Sequence, residues 1–460
     1  MDIMRQLFRT KLFQPERNVL RQCLTASDLI LLGIGAIIGA GIFVLTGVAA
    51  ATKAGPAIVL SYVLAGFAST FAALCYAELA ASIGGAGSAY TYAYAGLGEL
   101  IAWIIGWDLI LEYGLGACSV SIGWSGYVND VINAIGFQIP DQFLKCPFEG
   151  GLVNLPAMGI VILLSCILGL GVKQSANFNA SIVLIKLIAI AVFIGVAIQH
   201  VNPINWSPFM PFGWHGVVSG AALVFFAYIG FDAVSTATEE TINPQKNIPL
   251  GIIGSLAICT VIYILVSFLL TGITSYTTLN VKSPVAETIL NLGHRLTAGI
   301  VAAGAIAGLT SVILIFMYGL SRIFFAMSRD GLLPPLFAVV HPKTKTPLFI
   351  ISLSGLIIAL LAGFLPLSTV AELVNIGTLA AFITVCFGVI FLRHTQPKLH
   401  RPFKTPYSPL FPILGILSCG YLMINLPGIT WLRFIIWLII GLIVYFCYGQ
   451  SHANGHGVKS

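Results

Sequence analysis

The fold of this chain is decided by two stretches, Gly33-Ile-Gly-Ala-Ile-Ile-Gly-Ala-Gly-Ile-Phe43 and Phe226-Ala-Tyr-Ile-Gly-Phe-Asp232. Each interrupts an apolar segment near its middle with residues that form helix poorly. In the first stretch, close helix packing through small residues accounts for Gly35 and Gly39, which are four residues apart, but less well for Gly41. A dinucleotide-binding fingerprint does not fit, because no strand is predicted before the glycines. The two stretches therefore predict helices that are broken within an apolar environment.

The segments around these stretches have the composition of a membrane protein. The 460 residues are 58% hydrophobic and 8% charged, whereas a soluble domain has about 25% charged residues. The apolar residues form twelve blocks, and about 20 apolar residues in a helix span a bilayer. The sequence therefore predicts an all-α polytopic membrane protein with about twelve transmembrane helices. The blocks cover residues 28–50, 57–83, 96–128, 154–171, 178–199, 216–237, 248–274, 297–326, 347–365, 369–392, 408–426 and 430–448.

The two interruptions fall in the first and the sixth block. Paired broken helices at matching positions are typical of transporters built from inverted repeats. We therefore expect blocks 1–5 and 6–10 to form a five-plus-five inverted repeat, with two additional helices after it. A single transmembrane domain would cover residues 25–450, between an amphipathic N-terminal segment, 1–24, and a short tail, 451–460.

The distribution of Lys and Arg predicts the orientation. The segments on the side of the N-terminus hold 16 of these residues and those on the other side hold five, while Lys186 lies inside a block. Cytoplasmic loops carry the positive excess, so both termini are expected in the cytoplasm, with the chain in the plasma (inner) membrane. The net charge of +6 fits contact with anionic membrane lipids and requires no nucleic-acid partner.

Catalytic and cofactor-binding patterns are weak in this sequence. Gly123-Trp-Ser-Gly126 resembles an intramembrane protease pattern, but every histidine lies at or beyond a block end, so none could activate that serine. The same distribution predicts no buried metal site. No nucleotide-binding motif occurs, which argues against ATP-driven transport. We therefore expect neither an enzyme nor a cofactor.

Five stretches together resemble the amino acid–polyamine–organocation superfamily, in its cationic amino acid transporter branch. The resemblance covers blocks 1–10 and extends into blocks 11 and 12. It implies a five-plus-five inverted repeat that holds an amino acid at the unwound parts of helices 1 and 6, although it does not identify the side chain. The stretches are Gly33–Phe43, Trp107–Tyr113, Phe226–Asp232, Glu239–Pro249 and Arg322–Pro334.

A broken helix can bind both charged groups of an amino acid. N–H groups at the start of a half-helix attract a carboxylate, and the carbonyls that end the preceding half-helix accept from an ammonium group. The resemblance implies that the carboxylate lies at Gly39, Ala40 and Gly41. It places the ammonium at the carbonyls near Ile37, Phe226, Ala227 and Ile229.

Lys186 is the residue that bears most on coupling, because it lies inside an apolar block. A charge at such a depth costs at least about 2.5–3.5 kcal/mol, so an intramembrane lysine is functional by default. The alternative is a side chain that extends to the lipid headgroups. The resemblance implies that Lys186 takes the place of a coupling sodium ion, beside the break in block 1 and Thr310 or Ser311 of block 8.

Two acidic residues of block 3, Asp108 and Glu112, lie four apart and hence on one face of a helix. Glu112 is a candidate for relaying a proton or for sensing a cationic side chain, whereas Asp108 is at least as well explained by a structural hydrogen bond. Asp232 is expected to cap the helix that follows the second break. The resulting hypothesis is a proton-coupled amino acid symporter. The alternatives are an amino acid exchanger, a sodium-coupled carrier and, from another class, a channel.

Overall fold

The structure is a computed structural model that describes residues 9–10, 22–85, 87–134, 136–281 and 283–453. Most of the predicted segments 1–24 and 451–460 lies outside these residues. Of the first segment, Arg9 forms an ion pair with the buried Glu99 and donates to the carbonyl of Ala453 at 3.2 Å. Within the described residues the architecture is helical, and extended pairing is limited to one parallel bridge between Leu24 and Thr241.

Twelve main helical segments follow one another along the described residues, here labelled α1 to α12. Helices α1 and α6 are each interrupted, and two short helices, Ala89–Gly96 and Pro284–Asn291, lie in connections where none was predicted. The segments are α1 (Ala26–Ile37, resuming as Thr46–Ala49), α2 (Ile58–Ser82), α3 (Glu99–Ala134), α4 (Leu155–Gly169), α5 (Val172–Ala197), α6 (Gly213–Val224, resuming as Ala233–Thr236), α7 (Pro244–Ile273), α8 (Arg295–Arg329), α9 (Leu348–Phe364), α10 (Leu367–Thr395), α11 (Leu410–Ile424) and α12 (Gly428–Val444).

Most of the helices have the length and composition of membrane spans. Among the described residues, 8 helical stretches are long and apolar enough to cross a membrane, and the first of them contains both α1 and α2. Helices α4, α9 and α11 are apolar but shorter. Helices α3 and α8, with 36 and 35 residues, are each over 50 Å long at about 1.5 Å per residue. The predicted class, a polytopic helical membrane protein, is confirmed.

Local signals explain where two of these helices begin. Thr25 and Asp28 form a capping box at the start of α1, with the Thr25 N–H donating to Asp28 Oδ2 at 2.9 Å. Helix α5 starts directly after Gly171, whose φ is 128°, a conformation that glycine adopts most readily. Because α5 starts six residues before its predicted block, Lys186 lies near the middle of the helix.

Both predicted interruptions are present. Helix α1 leaves helical geometry at Ile38, where ψ is 101°, and resumes with a wide turn over Gly41–Leu45. Helix α6 tightens over Phe225–Tyr228 and becomes extended at Ile229, where ψ is 137°. The next residue, Gly230, has a φ of 116°, which a residue with a side chain rarely adopts.

Candidate functional site

The two interruptions touch each other in the interior. A Cβ atom placed on Gly41 would overlap the Cα and Cβ atoms of Ala227. On the other side of the contact, a Cβ on Gly230 would lie 2.8 Å from the Cβ of Ala36 and 3.0 Å from its carbonyl carbon. These distances are too short for non-bonded carbon atoms, so the close approach of the two broken segments depends on both glycines.

The other glycines of the first stretch also lie at close contacts, each with a different helix. A side chain at any of them would displace a neighbour in α5, α7 or α8. Close packing therefore applies to Gly41 as well as to its neighbours, although the sequence suggested that packing would account for Gly41 less well. The contacts are Gly33 with Ser255, Gly35 with Asn179, and Gly39 with Val312.

Tyr263 of α7 connects the two interruptions. Its hydroxyl lies 2.6 Å from the carbonyl oxygen of Ile37 and 2.8 Å from that of Ala227. These are two of the carbonyls predicted to receive an amino group. In this structure the tyrosine hydroxyl occupies them, so any ligand amine there would compete with Tyr263.

A second tyrosine supports the helix after the first break. The Tyr62 hydroxyl donates to the carbonyl of Gly41 at 3.1 Å and lies 2.6 Å from the Thr46 hydroxyl. The rings of Tyr62 and Tyr263 are 5.3 Å apart, and both side chains are fully buried. Sequence reasoning missed both tyrosines. The signal that could have found them is a phenol inside an apolar helix, because a buried Tyr O–H usually finds a partner.

The remaining predicted ligand-binding residues lie around the same contact. Phe226, Ala227 and Ile229 are all less than 10% exposed, and the Ile229 N–H donates to the carbonyl of Phe226 at 3.3 Å. Ala40, between the buried Gly39 and Gly41, is half-buried. The structure thus brings the predicted residues of α1 and α6 together at one place.

Lys186 lies against the first interruption and is fully buried. Its ammonium nitrogen is 2.9 Å from each of three acceptors: the carbonyls of Gly35 and Ile38, and the hydroxyl oxygen of Ser311. An ammonium group has three N–H donors, so all three are used. The Lys186 side chain therefore does not extend to the protein surface. It connects α5 to the end of the first half of α1 and to α8.

Of the two hydroxyl residues considered beside Lys186, only Ser311 contacts it. The Ser311 hydroxyl also donates toward the carbonyls of Gly35 and Gly308, at 2.9 and 2.8 Å. Thr310 points to another group: its hydroxyl accepts from the indole N–H of Trp124 at 2.9 Å and donates to Ile306. The two adjacent hydroxyls therefore belong to different hydrogen-bond networks.

Acidic side chains from α3 and α6 form a second buried polar region. Asp232 accepts hydrogen bonds from the Tyr113 hydroxyl and from the Gly230 N–H, the latter at 3.2 Å. It occupies the predicted N-cap position of the helix that follows, but its side chain makes no capping hydrogen bond there. The carboxyl oxygens of Asp108 have no hydrogen-bond partner among the described residues, whereas the Glu112 carboxyl group lies near the Thr378 hydroxyl. If both carboxyl groups were ionised, burying their two negative charges in the interior would cost free energy.

Two ion pairs join the short turn Thr238–Glu240, which follows α6, to the last turns of α8. Arg322 pairs with Glu240 at 2.8 Å, and both side chains are buried. Arg329 pairs with Glu239 through two hydrogen bonds of 2.9 and 3.1 Å. The Tyr318 hydroxyl also donates to Glu240. The described part of the N-terminal segment contacts the same region, because the Cys23 and Leu24 N–H groups donate to the Glu240 carbonyl.

Comparison of the sequence with known proteins identifies relatives of this chain. A family model described as amino acid permease matches residues 24–448. The methylthioribose transporter of Bacillus subtilis (strain 168) is 50% identical, over 98% of this chain and 99% of that protein. The branched-chain amino acid permease BcaP of the same organism is 49% identical, over 95% of each chain. Cationic amino acid transporter 4 of Mus musculus is 31% identical, over 95% of this chain and 88% of that protein.

Proposed function

Since the chain belongs to the amino acid permease family, within the amino acid–polyamine–organocation superfamily, we propose that it is a proton-coupled amino acid symporter. The observation that carries the proposal is the direct contact between the broken parts of α1 and α6, with Lys186 bound to the first of them. Breaks in membrane helices are tolerated where the freed backbone groups bind a ligand or line a cavity.

We propose that α1 to α12 all span the plasma (inner) membrane, with α1–α5 and α6–α10 as inverted repeats and both termini in the cytoplasm. The equivalent positions of the two breaks, five helices apart, support the repeat. The excess of Lys and Arg on the side of the N-terminus supports the orientation. In this arrangement the Glu240–Arg322 and Glu239–Arg329 pairs close the cytoplasmic side.

The proposed substrate site uses backbone groups for the amino acid's two charges. The carboxylate would bind the N–H groups of Gly39, Ala40 and Gly41, at the start of the second half of α1. The ammonium group would bind carbonyls that end the first halves of α1 and α6. For two of them, Ile37 and Ala227, it would replace the hydroxyl of Tyr263.

Apolar side chains around this place support a neutral substrate side chain. Phe226 and Ile229 are buried beside the second break, and we place Phe226 against the substrate side chain. A buried apolar contact of this kind contributes about 25 cal/mol per Å² of apolar surface removed from water, which favours an aliphatic amino acid over a cationic one.

The proposed coupling group is Lys186. Protonated, it donates one N–H to each of its three acceptors. Neutral, it would have two N–H groups and a lone pair, so one acceptor would face a lone pair instead of a donor. Loss of the proton would therefore loosen α5 from the break in α1. A proton can drive transport only if the two conformations differ in their affinity for it. In this proposal, the conformation in which α5 is held against the break binds the proton more tightly than the conformation in which α5 is loosened.

Glu112 is proposed as a second proton-carrying group. Its side chain is buried, and the Thr378 hydroxyl and the Asp232 carboxyl group lie near it. A proton on Glu112 would remove a costly buried charge.

Exchange of amino acids, sodium coupling and channel activity are the alternatives to proton symport.

One observation favours a second candidate substrate, methylthioribose: this chain is 50% identical to a methylthioribose transporter. A counterflow assay in proteoliposomes separates the classes, with all twenty amino acids and methylthioribose as competitors. We expect aliphatic amino acids to exchange. Exchange of methylthioribose alone would refute the proposed substrate, and flux that rises linearly with concentration, without stimulation from the opposite side, would indicate a channel.

A further inference from the structure

Two histidines face each other where α5 ends and α8 begins. The Nε2 atoms of His200 and His294 lie 3.4 Å apart, and the ring planes are inclined by 76°. His200 follows the last turn of α5, and His294 is the residue directly before α8. The contact therefore joins the ends of two helices whose histidines are 94 residues apart in sequence.

Of the two ring nitrogens of His200, Nδ1 binds a backbone carbonyl and Nε2 faces His294, whose Nε2–H can donate to it when no ion is bound. The His200 Nδ1 atom lies 3.0 Å from the carbonyl oxygen of Val196. A carbonyl accepts only from a protonated nitrogen, so a neutral His200 bears its hydrogen on Nδ1 and a lone pair on Nε2. That lone pair faces His294. A backbone carbonyl that holds the far nitrogen of a histidine in this way is typical of metal-binding histidines.

We propose that His200 and His294 bind a divalent transition-metal ion, Zn²⁺, between their Nε2 atoms. A Zn–N bond measures about 2.05 Å, so two nitrogens 3.4 Å apart would subtend an angle of about 112° at the ion, close to the tetrahedral value of about 109°. His294 is exposed and His200 is half-buried, so an ion can enter from solvent. Among the described residues no cluster of three or more metal-binding side chains occurs, so water would fill the remaining positions.

Such an ion would restrain α5 against α8. These helices also carry Lys186 and its partner Ser311, and they pack closely at Ala189 and Gly304, where a Cβ on the glycine would overlap the alanine. In the proposed topology the histidines lie on the extracellular side. External Zn²⁺ is therefore expected to slow any transport step in which the outer ends of α5 and α8 separate. This inference goes beyond the proposed function, because the binding step requires no knowledge of the substrate.

The first experiment measures binding. ZnCl₂ is titrated calorimetrically into the purified full chain in a buffer without chelators, for wild type, His200→Ala, His294→Ala and the double variant. We expect one site that weakens by at least about tenfold in each single variant. His215→Ala is the matched control, since His215 is also exposed and should leave the site intact. Equal zinc affinity in wild type and the double variant would overturn the proposal.

A second experiment identifies the ligands and the consequence. Cu²⁺, which binds nitrogen ligands more strongly than Zn²⁺, should give an electron paramagnetic resonance spectrum with two imidazole nitrogens in wild type and one in each single variant. External Zn²⁺ should slow counterflow in wild type and in His215→Ala but not in the double variant. A spectrum with one nitrogen in wild type would refute the paired site, and zinc binding without slower counterflow would refute the restraint.

Discussion

The ammonium nitrogen of Lys186 lies 2.9 Å from the carbonyl oxygen of Ile38, the residue at which α1 stops being helical. Through its other two contacts the same nitrogen binds Gly35 and Ser311. One side chain thus satisfies carbonyls that the break leaves without intrahelical donors, and it connects three helices. The proposed coupling mechanism depends on this contact, and the first two predictions test it.

Replacing Lys186 with alanine should abolish proton-driven accumulation, because no titratable group would then bind the break in α1. The measurement is uptake into proteoliposomes with an imposed pH gradient and no sodium. Lys53→Ala is the control, since Lys53 is exposed. Accumulation that persists in Lys186→Ala, or a strict sodium requirement in wild type, would contradict proton coupling through this residue.

The adjacent hydroxyls of α8 should differ in their effect. Ser311→Ala removes an acceptor from Lys186, and a hydrogen bond to a charged group contributes about 1.5–3 kcal/mol, which corresponds to roughly tenfold or more in an equilibrium. Thr310→Ala leaves the Lys186 contacts intact, because Thr310 binds Trp124. We expect Ser311→Ala to shift the pH dependence of uptake and Thr310→Ala to leave it unchanged. Equal shifts in the two variants would argue against the assignment.

Gly41→Val should abolish substrate binding, because its side chain would collide with Ala227 and force the two breaks apart. Binding is measured calorimetrically on protein that remains monodisperse. Gly123→Val is the matched control, since a Cβ at Gly123 would meet no atom within 4 Å, and it should bind normally. Normal binding by Gly41→Val would show that the contact between the breaks is not part of the site.

Phe226→Ala should admit bulkier amino acids, because in the proposed site Phe226 contacts the substrate side chain. The readout is the competition profile of small and large amino acids in counterflow. Phe225→Ala serves as the control: that ring is buried against Phe382, with centroids 5.8 Å apart. Phe225→Ala should lower the free energy of unfolding by about 3–5 kcal/mol without changing which amino acids compete. An unchanged profile in Phe226→Ala would contradict the placement.

Arg322→Gln should lower the melting temperature more than the double variant Glu240→Gln/Arg322→Gln. Removing one partner of a buried pair leaves an uncompensated charge, which costs about 3–5 kcal/mol, whereas removing both charges costs less. The pair is fully buried, so the cost of Arg322→Gln should be near the upper end of this range. Thermal unfolding of the detergent-purified variants measures it, and equal melting temperatures would show that the pair is not closed in solution.

Much of the fold was predictable from the sequence because its signals are local. Apolar blocks of span length predict membrane helices wherever they occur, and the observed helices α2 and α9 begin and end within a residue of their blocks. The interruptions at Gly39–Gly41 and Gly230 were predictable as well, since glycine weakens a helix regardless of its neighbours. The buried position of Lys186 followed from the apolar residues on both sides of it.

The partners of these residues were decided by the tertiary structure. Nothing near Gly41 in sequence indicates that it meets Ala227, and nothing near Ile37 indicates that Tyr263 binds its carbonyl, because each partner lies on another helix. The same holds for Ser311 rather than Thr310 beside Lys186, and for the contact of His200 with His294. Sequence alone determined which segments form apolar helices and where these helices break, since apolar composition and helix propensity are properties of a segment. Only the packing of distant helices determined which atoms meet at the breaks, since a side chain's partner depends on the relative position of two helices.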